Sequence, residues 1–163
     1  MPENIEIEGY GPGALGVMVT MQAAYYACEW GFGLAFETKI ASEMAEFLNR
    51  IDETTDMFAL GRDPSGTVLG GITVDGGEGG ELAHLRWFMV SDAARGRGLG
   101  RRLIAHAVDF TREAGHAGLY LWTFKGLDPA RRLYDDFGFS LVEEVSGETW
   151  GREVVEQRFE LRF

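Results

Sequence analysis

Arg95-Gly96-Arg97-Gly98-Leu99-Gly100 is the stretch that most restricts what this chain can become. Upstream, the apolar run Leu85 to Val90 predicts a strand. Downstream, Leu99, Leu103, Ala107, Phe110 and Ala114 recur three and four apart and predict one face of a helix. Glycines between a strand and a helix let the backbone approach a ligand closely, and the first amides of the helix have no carbonyl partner of their own. Those amides, with the positive end of the helix dipole, favour an anion such as phosphate. Arg95, Arg97, Arg101 and Arg102 gather positive charge at the same spot. The stretch predicts a loop that binds a phosphorylated ligand, although an arginine-rich helix start in solvent has the same composition.

The spacing narrows the kind of loop. Gly96, Gly98 and Gly100 lie two apart, so the dinucleotide fingerprint G-x-G-x-x-G is not met. Gly100 is followed by Arg101, not by the Lys-Ser/Thr of nucleotide hydrolases. What remains is R-x-x-G-x-G, with Arg95, Gly98 and Gly100 in the defined places.

With 163 residues, 45% of them hydrophobic and 25% charged, the chain predicts one domain, 1–163, with a real core. Its apolar runs are too short to span a membrane, and Met1-Pro2-Glu3-Asn4 does not look like a signal peptide, so a cytoplasmic protein with no membrane partner is expected. A net charge of −11 argues against nucleic acid, which needs a basic face, and is compatible with an amine substrate. The single cysteine, Cys28, excludes an internal disulfide and a cysteine-cluster metal site. Lying in an apolar helical stretch, it reads as a buried structural thiol, and no metal is expected.

Ile5 to Glu8 predicts a short strand. Two helices follow, the first turning Leu15, Met18, Met21, Tyr25 and Cys28 inward. The second, from about Phe36 to Arg50, turns in Ile40, Met44, Phe47, Leu48 and Ile51. Met57 to Gly61 and Val68 to Val74 predict strands, and Gly70-Gly71 marks a bulge or a close backbone approach. Asp75 to Gly80 predicts a flexible hairpin link to the strand before the loop. After the helix ending at Gly115, Leu119 to Phe124 predicts a buried strand. Asp128-Pro129 opens a helix, Asp128 capping it, that carries Ala130, Leu133, Tyr134 and Phe137 and stops at Gly138. Phe139 to Val145 and a one-sided strand ending at Phe163 flank a turn at Ser146-Gly147-Glu148.

Two motifs carry a resemblance. R-x-x-G-x-G at Arg95–Gly100 and Ala130-x-x-Leu133-Tyr134-x-x-x-Gly138-Phe139, with this order of elements, make the chain similar to the GNAT superfamily of acyl-CoA-dependent N-acyltransferases. Leu85-Arg86-Trp87-Phe88 and Leu121-Trp122-Thr123 look most like the acetyltransferase domains often fused to MarR-type regulators. The resemblance implies an α/β (α+β) fold, a mixed and mostly antiparallel sheet of about seven strands with about four helices. It implies acetyl-CoA as co-substrate and an acetyltransferase acting on a primary amine of a small molecule or peptide. A non-catalytic acyl-CoA-binding or interaction module on the same fold is the alternative. Either would be a monomer or homodimer.

By this resemblance, backbone groups of Phe88, Met89 and Val90 hold the pantetheine arm. Arg95, Gly96, Arg97, Gly98, Leu99, Gly100 and Arg101 hold the pyrophosphate. Tyr134 stands where many members place the general acid for the coenzyme A thiolate; otherwise it is an aromatic packing residue. His84 stands where some members carry a base that activates the amine, and alternation puts His84, Arg86 and Phe88 on one side of the strand. It reads equally as a strand-end histidine. Tyr25, Glu29, Trp30 and Arg86 are the acceptor-side candidates, an aromatic wall with one carboxylate that suits either an amine or plain packing. Two departures stand out. A frequent asparagine seven residues before the tyrosine is Leu127, and relatives often carry a histidine where Gln22 aligns.

Overall fold

In the computed structural model, which describes residues 4–77, 80–148, 150 and 152–163, the elements follow the expected order. They are β1 (Glu6–Glu8), α1 (Ala14–Trp30), α2 (Leu34–Asn49), β2 (Met57–Arg62), β3 (Val68–Asp75), β4 (Leu82–Val90), α3 (Leu99–Glu113), β5 (Gly118–Phe124), α4 (Asp128–Asp136), β6 (Ser140–Gly147) and β7 (Val154–Arg162). A short 3-10 turn, Asp92–Ala94, sits between β4 and α3. The strands form one sheet in the order β1-β2-β3-β4-β5-β7-β6, parallel only between β4 and β5. Part of the glycine-rich link, residues 78–79, and Met1 to Glu3 lie outside the described residues.

Strand alternation builds a core on each face. On one side Met57, Ala59, Leu85, Leu119 and Leu121 pack with Leu99, Leu103, Ile104 and Ala107 of α3 and with Tyr134 of α4. On the other, Phe58, Leu60 and Met89 pack with Met18 of α1 and with Met44 and Phe47 of α2. A third cluster, Phe32, Phe36, Ile40, Phe124 and Val154, closes the end where α1 turns into α2.

Several local expectations shift. α1 buries Ala14, Met18 and Gln22, and Cys28 is exposed. The helix is apolar on most sides, so periodicity alone did not single out the face that meets the sheet. Asp128 is the first residue of α4, and its carboxylate makes no cap bond; Leu127 occupies the cap. β6 runs on to Gly147, through the expected turn.

Phe88 does not share a side with His84 and Arg86. The β3–β4 register slips between Gly71 and Thr73, and Trp87 takes a φ of 52°. This bulge keeps both Arg86 and Trp87 on the α1–α2 side, with the Arg86 guanidinium 4.2 Å from the centre of the Trp87 ring. Alternation then resumes one residue late and turns Phe88 toward α3 and α4.

Candidate active site

β4 and β5 pair only through Leu82↔Gly118, Ala83↔Leu119 and His84↔Tyr120. Beyond that point β4 stays on β3, with Met89 opposite Gly71 and Val90 opposite Gly70. β5 meanwhile stays on β7 as far as Phe124↔Glu156. The two central strands therefore part, and the edge of β4 through Phe88, Met89 and Val90 faces a gap. An extended, amide-bearing chain can bond to such an edge as an added strand would. Gly70 lets β3 keep its tight approach to β4, since a Cβ there would stand 2.6 Å from the Met89 carbonyl oxygen.

The gap opens toward the glycine-rich loop. Gly96 and Gly98 adopt φ of 75° and 78°, left-handed values that an L side chain rarely takes, and an added Cβ at either would meet nothing within 4 Å. Gly98 caps α3, and its carbonyl accepts the Arg102 amide. The amides of Leu99, Gly100 and Arg101, ahead of that first bond, point out of the helix end. Arg95 is held by Asp92 at 2.9 Å, Arg97 donates to the Ala93 carbonyl at 3.1 Å, and Arg101 pairs with Asp136 of α4 at 2.7 Å. These arginines form an exposed positive rim around a ring of amides, and Arg101 joins the loop to α4. Just before the loop, the buried Ser91 Oγ has no hydrogen-bond partner among the described residues.

Tyr134 lies beneath the parting strands. Its ring packs on Phe88, Phe139 and Phe159, with centroids 6.3, 5.7 and 5.8 Å away. Burial, and then the nearby Tyr26, push its phenol pKa well above the ordinary value, which keeps the group protonated. His84 belongs to the last pair before the strands part, and its ring stacks on Tyr120 at 4.4 Å. Base and acid candidates thus approach the opening from opposite faces of the sheet.

The sequence profile of the Acetyltransferase (GNAT) family matches residues 22–139, most of the chain. This chain belongs to the GNAT acetyltransferase family. An uncharacterised N-acetyltransferase of Schizosaccharomyces pombe is 29% identical over 118 residues, 72% of each chain. Among solved structures, a candidate acetyltransferase from Salmonella typhimurium, determined with its cofactor acetyl-CoA, superposes with a TM-score of 0.73 at 16% identity. It covers 98% of this chain and 94% of that one. Spermidine N-acetyltransferase from Vibrio cholerae, in complex with CoA and spermine, also gives 0.73 at 16% identity, over 97% and 95%. The seven-stranded sheet with its four helices is thus the GNAT fold, and acetyl-CoA is the co-substrate of the family. The open β4 edge and the free amides of the loop suit a ligand with an amide-bearing arm and a pyrophosphate.

Of the residues expected on the acceptor side, Tyr25 meets Tyr26 edge-on at 5.0 Å, and Trp30 lies 5.5 Å from Phe124. Glu29 is exposed. Arg86 is bound at 3.0 Å to Glu43 of α2 and at 3.2 Å to Asp75 of β3, so it also ties α2 to the sheet. The α1–α2 turn is latched from the far end of the chain, where Arg152 donates to the Trp30 carbonyl at 3.0 Å. A pocket of about 390 Å³ lies there, lined by Trp30, Lys125, Arg152 and Glu153. Sequence reasoning singled out Tyr25 and Trp30 from α1 but not the buried, unbonded state of Gln22. A polar residue between apolar positions of a helix was the signal for it. The described residues contain no group of three His, Cys, Asp or Glu able to hold a metal ion, and no helix long and apolar enough to cross a membrane.

Proposed function

We propose that this chain transfers the acetyl group of acetyl-CoA to a primary amine of a small molecule or peptide by direct attack. The observation that carries the reading is the parting of β4 and β5 beside the loop of free amides, with the buried Tyr134 phenol beneath the opening. The backbone of Phe88 to Val90 would pair with the pantetheine arm. The amides of Leu99, Gly100 and Arg101 would hold the pyrophosphate, Gly96 and Gly98 letting the backbone come close, with Arg95, Arg97 and Arg101 adding charge. Held there, the thioester lies against the opening of the sheet.

Attack requires a neutral amine, so a proton must leave the acceptor; the His84 imidazole at the vertex of the opening is the group assigned to take it. As the C–S bond breaks, the Tyr134 hydroxyl supplies a proton to the departing sulfur, and the surplus proton on the acetylated nitrogen restores the phenol. Tyr25 and Trp30 would form an apolar wall for the acceptor. Glu29 and the held Arg86 would set the charge at its edge. The likeness in fold to a spermidine N-acetyltransferase and to a ribosomal-protein-alanine N-acetyltransferase supports an amine acceptor on a small molecule or a polypeptide.

The test is release of free coenzyme A across a panel of polyamines, amino acid amides and peptides with free N-termini, with acetylated product confirmed by mass. Turnover of at least one amine well above thioester hydrolysis is expected. Tight acetyl-CoA binding with no transfer to any amine would identify an acyl-CoA-binding module instead.

A further inference from the structure

Gln22 is the anomaly of α1. It is 4% exposed, yet its Nε2 finds no hydrogen-bond partner among the described residues. A buried amide left unbonded is costly, and most buried polar groups are satisfied. Its neighbours on the helix say where the carboxamide lies. One turn earlier, Met18 presses on β3 so closely that a Cβ on Gly71, the partner of Met89, would stand 2.7 Å from its Cε. One turn later, the Tyr26 ring is 5.7 Å from Phe124 on β5. Residues four apart share a helix face, so Gln22 stands between these two anchors. One anchor rests on the β4 side of the opening and the other on the β5 side.

We propose that the Gln22 carboxamide donates an N–H bond to the thioester carbonyl oxygen, which gains negative charge as the amine adds. A donor held dry and unbonded is already oriented, so no water has to be displaced from it when charge develops. The bulge at Trp87 lies on the same face of the sheet. The orphaned amide is thus a stability cost retained at a reacting centre, and its missing partner is the ligand. The proposal rests on the acetyl-transfer reading.

The experiment is calorimetric titration of the parent, Gln22→Leu and Gln22→Met with acetyl-CoA and, separately, with CoA, which lacks the carbonyl. Both variants keep the bulk, and neither keeps the donor. Each should lose about fivefold in acetyl-CoA affinity while CoA affinity is unchanged. With an accepted amine, turnover should fall on the order of a hundredfold and by the same factor for every amine, since the carbonyl is common to all. Without ligand, Gln22→Leu should melt a few degrees higher than the parent, because it removes an unsatisfied buried group. An unchanged ratio of acetyl-CoA to CoA affinity, a lower melting temperature, or a loss confined to one amine overturns the proposal. A parent that binds neither thioester nor thiol overturns the acetyl-transfer reading itself.

Discussion

Leu133 of α4 stands against Gly100 at the start of α3, and a Cβ on that glycine would lie 3.1 Å from the Leu133 Cδ1. Phe88 and Val90 close the other sides at 3.4 and 3.5 Å. The bare position at Gly100 therefore serves the packing of α3 on β4 and α4. That of Gly98 serves a left-handed backbone with nothing around it. The two glycines of one motif answer to different forces.

Substitution separates them. Gly100→Val should cost about 2 kcal/mol of stability through overpacking, seen in urea denaturation. Gly98→Val should cost about 1–2 kcal/mol through its backbone conformation alone. Both should weaken acetyl-CoA binding at least about tenfold, because the amides they align would shift. Unchanged affinity in folded Gly98→Val would remove the phosphate role from the loop.

A rim of exposed arginines around amides predicts electrostatic binding. Coenzyme A affinity should fall as salt is added, and dephospho-coenzyme A should lose only part of the affinity. Titration at low and high ionic strength checks both. Indifference to salt and phosphate alike would leave an apolar acyl pocket as the main anchor.

Tyr134→Phe keeps the ring among Phe88, Phe139 and Phe159 and removes only the hydroxyl. Turnover should drop on the order of a hundredfold, while acetyl-CoA affinity moves by less than about tenfold. Burial raises the pKa of the phenol, so the acid form persists to higher pH than for an exposed tyrosine. The alkaline loss of activity assigned to this group should come above the ordinary tyrosine range. A variant as fast as the parent, with chemistry rate-limiting, would make Tyr134 a packing residue.

Asp75 gives a pH-dependent prediction. Burial pushes its pKa up, but the Arg50 bonds, the Gly77 amide and the charges of Arg50 and Arg86 outweigh this and hold it below the ordinary carboxylate range. A depressed folded-state value means that the contribution is fully present above the unfolded pKa of about 3.9 and is lost as pH falls through the folded value. Asp75→Ala should cost about 1–2 kcal/mol at pH 7, because Arg50 and Arg86 lose their shared buried carboxylate while Arg86 keeps Glu43 and Arg50 remains partly in solvent. The gap between parent and variant in urea midpoints should narrow as the pH is taken below about 4. A gap that stays constant would show that the carboxylate charge does not contribute.

What the sequence determined by itself was local. Helix faces such as Leu99-Leu103-Ala107 and the one-sided β7 follow from spacings of three, four or two residues and were legible, while the loop glycines and the Leu133-Tyr134 motif were legible as a family resemblance. The tertiary structure decided whatever depends on neighbours distant in the chain. α1 is apolar on most sides, so only docking on the sheet showed that Gln22 goes in and Cys28 stays out. The slip at Arg86 and Trp87 breaks strand alternation because β3 pairs with fewer residues than β4 supplies, and no local pattern in β4 announces it. The gap between β4 and β5 exists because β5 follows β7 while β4 follows β3. A ligand site made by two strands parting is a property of the sheet, since neither strand carries it alone.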